Sequence, residues 1–114
     1  MHSAEDALLH ENIEEMVLEV TAYNAGDPSQ TDDSPCISAS GEDICLALAN
    51  GHKRCAANFV PFGTRLHIQD FGECTVVDRM NSRYPLRVDI AMDADEKHRA
   101  LKFGIKNLEI KILK

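Results

Sequence analysis

The feature that most constrains this chain is a two-residue alternation of apolar and polar side chains that recurs in short segments. Leu18, Val20 and Ala22 alternate with Glu19, Thr21 and Tyr23. Leu66 and Ile68 share a phase within Thr64–Gln69, as do Val88, Ile90 and Met92 within Arg87–Met92. Leu108, Ile110 and Ile112 repeat the pattern near the end. Successive side chains of an extended chain point to opposite faces, so each segment reads as a strand with one face on a core. Cys55–Phe59 reads as a buried strand, and Cys74–Val77 as a strand ending at Asp78. Turn signals divide these segments at Asn50-Gly51, Pro61-Phe62-Gly63, Asp70–Gly72 and the polar stretch Arg79–Pro85. Ile44–Ala49 is open between a short strand and a helical turn.

The period changes after Asp93. Asp93 with Glu96 three residues on makes a start like a capping box, with Asp in place of Ser or Thr. A helix of about ten residues is expected to follow, with Gly104 ending it. The pattern therefore predicts an all-β domain of about six short strands, with one short helix before the last strand. A chain of 114 residues fits a single domain. At that size it buries roughly two-thirds of its unfolded surface. There is no Trp and aromatics are only 5%, so the core must rest on Val, Ile, Leu and Ala.

Residues 1–15 read as a polar lead-in, helical or disordered, and residues 16–114 as the domain. Asn24–Asp43, rich in Gly, Asp, Ser, Thr and Pro, reads as a long ordered loop of the kind that often carries function. The net charge of −7 argues against nucleic acid, whose phosphates need a basic footprint. No apolar run approaches the roughly 18–20 residues of a membrane span. Met1–Met16 is acidic, without the apolar stretch of a signal peptide, so an export signal is expected to be absent from this chain.

Cys36, Cys45, Cys55 and Cys74 are even in number, with no C-x-x-C. That spacing argues against zinc, and no metal site is expected. Two disulfides would suit an oxidising compartment. Of the three pairings, separation along the chain favours Cys36 with Cys45 and Cys55 with Cys74, and four buried free thiols are the alternative.

The candidate chemistry centres on Asp78 and Asp89, at the end of one strand and within the next. Asp89 is opposite in phase to Val88 and Ile90, so it faces a surface or groove if they face the core. The turn Asn81–Pro85 would fold the two strands back toward each other. Two neighbouring carboxylates split their pKa values, which is what general acid chemistry at a glycosidic bond requires. The plainer reading is a pair of solvated or capping acids at strand ends. The five histidines are scattered and none sits in a nucleophile motif, and His67 is expected to point outward.

The run Val76-Val77-Asp78-Arg79-Met80-Asn81-Ser82-Arg83-Tyr84-Pro85-Leu86-Arg87-Val88-Asp89-Ile90 resembles the signature of the 3D domain, named for three aspartates. That domain is shared with membrane-bound lytic transglycosylase A and stationary-phase cell-wall proteins. Further matching pieces are Thr21-Ala22-Tyr23, Gln30-Thr31-Asp32, Ser38-Ala39-Ser40-Gly41, Ala56 to Thr64, and Ala100 to Gly104, in the same order. Asp78-Arg79-Met80-Asn81 stands where many members have Asp-Thr-Gly-Gly, and Ser38 stands where Thr is usual. Asp93 and Asp95 are candidates for the third aspartate.

The resemblance implies a six-stranded double-psi β-barrel acting on peptidoglycan, in the cell envelope or outside the cell, without a cofactor. It implies a lytic transglycosylase in which Asp89 protonates the oxygen between N-acetylmuramic acid and N-acetylglucosamine. Asp89 would then take the proton of the muramic C6 hydroxyl, giving a 1,6-anhydro product, with Asp78 supporting the charged transition state. Thr21, Tyr23, Thr31, Ser40, Arg79 and Asn81 would line the sugar groove. Arg79, Arg83 and Arg87 would hold the wall's peptide carboxylates, or else form solvated turn residues and salt bridges to Asp78. A glycan-binding barrel without turnover is the first alternative, and an intracellular interaction domain the second.

Overall fold

The alternating segments become strands. In a computed structural model, which describes residues 15–27 and 36–113, β1 is Glu15–Asn24, β2 Arg54–Ala57 and β3 Arg65–Ile68. β4 is Gly72–Asp78, β5 Arg87–Met92 and β6 Lys106–Leu113. Two helices join them: α1 at Ile44–Ala49, and α2 at Lys97–Phe103, preceded by a 3-10 turn at Ala94–Glu96. The expectations for residues 1–14, and for Gln30, Thr31 and Asp32, lie outside the described residues.

The strands close into a barrel in the order β1-β5-β2-β4-β3-β6. β1–β5 and β2–β4 are parallel, and the other four neighbours are antiparallel. This is the expected six-stranded barrel with a short helix before its last strand. Among the described strands, closure leaves no unpaired edge to attract other chains. Its interior is built from one phase of each alternation: Val20, Leu66, Ile68, Val76, Val88, Ile90 and Ile110 are fully buried. Each such side chain contributes about 1.5–3 kcal/mol.

The disulfide Cys55–Cys74 lies within this core and links β2 to β4. The second disulfide, Cys36–Cys45, ties the loop before α1 to the helix itself. The pairing favoured by chain separation is therefore the one formed, and none of the four cysteines is free.

Ile44–Ala49, which the pattern left open, is a helix outside the barrel. The Asp43 carboxylate accepts a hydrogen bond from Leu46 N at 3.0 Å and caps it. Ile44 packs there with Ala25, Val77 and Ala91. Small residues on the barrel's outer face leave room for it. Gly26 lies beneath, at φ 87°, where a Cβ would stand 3.0 Å from Cys45 Sγ. The helix expected after Asp93 is present as the 3-10 turn running into α2. Asp93 N donates to the Glu96 carboxylate at 3.2 Å, one half of the capping box. Gly104 ends the helix at φ 63°.

Candidate functional site

Four adjacent strands bring four positions into one row across the outer barrel wall. Thr21 on β1 pairs with Asp89 on β5, Asp89 with Ala56 on β2, and Ala56 with Asp78 on β4. Neighbouring strands lie about 4.8 Å apart, so the two aspartate backbones are about 10 Å apart with one alanine between them. Ala56 is buried and offers only a methyl group, which makes it the floor of the row.

Asp78 reaches this row through a break in the ladder. Cys55 pairs with Val76 and Ala56 with Asp78, so the register shifts and Val77 is extra. Such an irregularity re-aims a side chain. Val77 is turned against α1, and Asp78 is brought into line with Asp89.

Thr21 Oγ1 donates to Asp89 Oδ1 at 2.9 Å. Tyr23, two residues along the same face, reaches across the row, and its hydroxyl donates to Asp78 Oδ2 at 3.1 Å. Asp78 Oδ1 accepts from Ala39 N and Arg79 N, both at 2.9 Å. Burial raises the Asp89 carboxyl to about 6, and the Asp78 charge pushes the same way, against Thr21's hydrogen bond and Arg87. Burial, then both carboxylates, push the Tyr23 hydroxyl well above its ordinary value. Tyr23 therefore keeps its proton and acts as a donor. The arrangement places an acid that titrates near pH 6 beside a second carboxyl group anchored by three donors.

Two arginine–aromatic pairs flank the row, one between loops and one between the β4–β5 loop and the start of β5. The Arg79 guanidinium stacks on Phe62 at 3.9 Å and donates to Ala57 O at 2.8 Å. Arg87 stacks on Tyr84 at 4.0 Å and pairs with Glu19 at 2.6 Å. Neither guanidinium forms a salt bridge with Asp78 among the described contacts. Arg83 lies 5.7 Å from the Tyr84 ring.

The other expected residues are less central. Ser40 lies on the loop next to Asp78, with its N–H on Val77 O at 3.0 Å and its hydroxyl 2.9 Å from that of Ser38. Asn81 spends its side chain on a turn, accepting from Arg83 N at 3.0 Å. Thr31 lies outside the described residues. Asp93 caps a helix and accepts from Asn24 Nδ2 at its carbonyl, so it sits beyond the row. His67 is exposed, as expected.

Sequence reasoning missed Asn58 and Ala39. Asn58 holds the β4–β5 loop: its Nδ2 donates to Asn81 O and Tyr84 O, and its Oδ1 accepts from Met80 N. An asparagine just past a strand carries a weak signal for such a role. Ala39 acts through its backbone N–H, which no side-chain pattern reveals.

No protein-family model matches the chain, so the 3D-domain resemblance has none behind it. No curated protein matches it either. Among solved structures, the chain is similar to the apo expansin of Clavibacter michiganensis, with TM-score 0.57 and 17% identity over 88% of this chain and 50% of that one. It is also similar to an aspartate-to-asparagine mutant of the Clavibacter michiganensis expansin in complex with cellohexaose, with TM-score 0.50 and 14% identity over the same shares. At these identities the likeness is one of fold: this barrel has the architecture of one part of an expansin. The chain spans about half the length of those structures.

Proposed function

We propose that this barrel binds cell-wall glycan along the Thr21–Asp89–Ala56–Asp78 row. The observation that carries the reading is the convergence of these residues, with Tyr23, over an alanine floor. A sugar chain offers hydroxyls that both donate and accept, and the row offers carboxyl oxygens as acceptors, with the Thr21 and Tyr23 hydroxyls holding them in place. A few placed polar groups of this kind fix a ligand's orientation. The expansin in complex with cellohexaose supports a glycan ligand on this fold. The 3D-domain resemblance points to peptidoglycan as the glycan. Two disulfides support the cell envelope or the exterior as the setting.

A second reading is favoured by Asp89 alone. A carboxyl raised to about 6 is protonated for part of the time near neutrality. As a lytic transglycosylase, Asp89 would give its proton to the glycosidic oxygen as the bond to the muramic C1 breaks. It would then take the C6 hydroxyl proton as O6 closes on C1, which restores the acid and consumes no water. Asp78 would face the positive charge that develops on the ring.

One experiment tests both readings. Purified peptidoglycan is incubated with the protein, sedimented, and the supernatant examined by mass spectrometry for anhydro-muropeptides. Retention on the pellet without anhydro product is expected, and failure to bind peptidoglycan or cellulose would sink the glycan reading. Anhydro product that disappears in Asp89→Asn would establish the second reading in place of plain binding.

A further inference from the structure

A cleft of about 330 Å³ that shares no lining residue with the aspartate row lies between α2 and the β3–β4 turn. Its floor is apolar: Met92 and Leu108 are both buried. Its walls carry two half-buried rings, Phe71 from the turn and Phe103 from the end of α2. Three cations line it, Arg99, Lys102 and Lys106, against one carboxylate, Asp70. This is a local excess of positive charge on a chain of net charge −7.

Those cations are not all consumed internally. Arg99 pairs with Glu96 at 2.7 Å. Among the described residues, no ion pair ties Lys102 or Lys106 to a carboxylate. Lys106 Nζ instead lies 4.5 Å from the Phe103 centroid. Across the cleft, Lys53 Nζ lies 4.6 Å from the Phe71 centroid and donates to Phe71 O at 2.9 Å. A smaller cavity of about 160 Å³ shares Phe71, Met92 and Arg99 with the first and leads on to Lys53, but Asp93 and Glu96 line it too, so the positive excess belongs to the first cleft.

We propose that this groove is a second binding site, for an acidic saccharide. The anionic group meets Lys102 and Lys106, the latter held at the Phe103 ring, while the apolar face of the sugar ring lies on Phe71 and the Met92–Leu108 floor. A bare-anion site has no use for rings over an apolar floor, and a neutral-sugar site has no use for unpaired ammonium groups. Aromatic faces with adjacent cations suit a ligand that is apolar on one side and anionic at its edge. The proposal rests on the glycan reading for its sugar part and extends that reading from the neutral backbone to its charged substituents.

The test is a titration of ¹⁵N-labelled protein with hexagalacturonate, followed by the backbone amide signals. Glucose 1-phosphate, cellohexaose and inorganic phosphate are titrated in parallel. Hexagalacturonate is expected to move the signals of Phe71, Lys102, Phe103 and Lys106. K102E/K106E is expected to weaken that binding about tenfold, and K102Q/K106Q, which adds no new charge, about threefold. Raising the salt from about 20 mM to about 300 mM is expected to weaken it similarly, since the Debye length shortens from roughly 20 Å to roughly 6 Å.

Tighter binding of glucose 1-phosphate would assign the anion to phosphate and keep the acidic-saccharide site. Inorganic phosphate binding as tightly as either sugar would overturn it. So would an absence of cleft shifts with both acidic sugars, or shifts that both charge variants leave intact. Binding at the aspartate row is read separately, from the Thr21 and Asp89 amides, so failure of one reading is told apart from failure of the other.

Discussion

Asp78 and Asp89 are the same side chain on either side of one alanine, yet their surroundings give them different work. Asp78 accepts from a tyrosine hydroxyl and two backbone N–H groups. Through them it ties the end of β4 to Tyr23 and to the loop that holds Ser38 and Ser40. Among the described contacts Asp89 accepts one hydrogen bond, from Thr21, and burial raises it to about 6. Donors tie one carboxyl group into the fold, whereas burial leaves the other ready to exchange a proton near pH 6.

The largest consequence of that contrast is expected in stability. Asp78→Ala leaves three donors without their acceptor and should cost about 2–3 kcal/mol in urea unfolding. Asp89→Ala should cost less than about 1 kcal/mol, and equal losses would show that the two acids are anchored alike.

The next effect depends on pH. Asp89 is raised, so between about pH 4 and 6 the folded chain keeps a proton that the unfolded chain releases. Stability therefore falls as pH rises through that window and levels off above it. Asp89→Asn removes this loss and still offers Thr21 an acceptor. The variant should gain about 1–2 kcal/mol over the parent at pH 8 and nothing at pH 3. A constant difference across pH would contradict the raised Asp89.

The smallest effect concerns Thr21, whose hydrogen bond opposes the rise at Asp89. Thr21→Val should move the Asp89 titration, followed by carboxyl NMR, above about 6. Its stability cost should stay under about 1 kcal/mol. A fall in that titration would remove Thr21 from the role.

The barrel strands were legible because burial on one face imposes a period of two, and Val88, Ile90 and Met92 show it directly. The same phase put Asp89 outside the core. The 3-10 turn and α2 were legible through Asp93, Glu96 and Gly104, whose chemistry is local. Three things were not. Strand order depends on pairings between segments far apart in the chain, and alternation carries no information about partners. The placement of Asp78 depends on the extra residue Val77, and a valine before an aspartate reads the same whether the ladder is regular or broken. α1 stayed open because Ile44–Ala49 is too short for its period to declare itself.

The row described above has a kinetic corollary. Thr21 and Asp89 are 68 positions apart, and Tyr23 and Asp78 are 55 apart. Contacts of such long range form only after large loops close, and chains rich in them fold slowly. No fragment of the chain short of β5 contains both halves of the row. Competence at this site therefore arrives with barrel closure, so a chain still unfolded during synthesis carries the residues without the site.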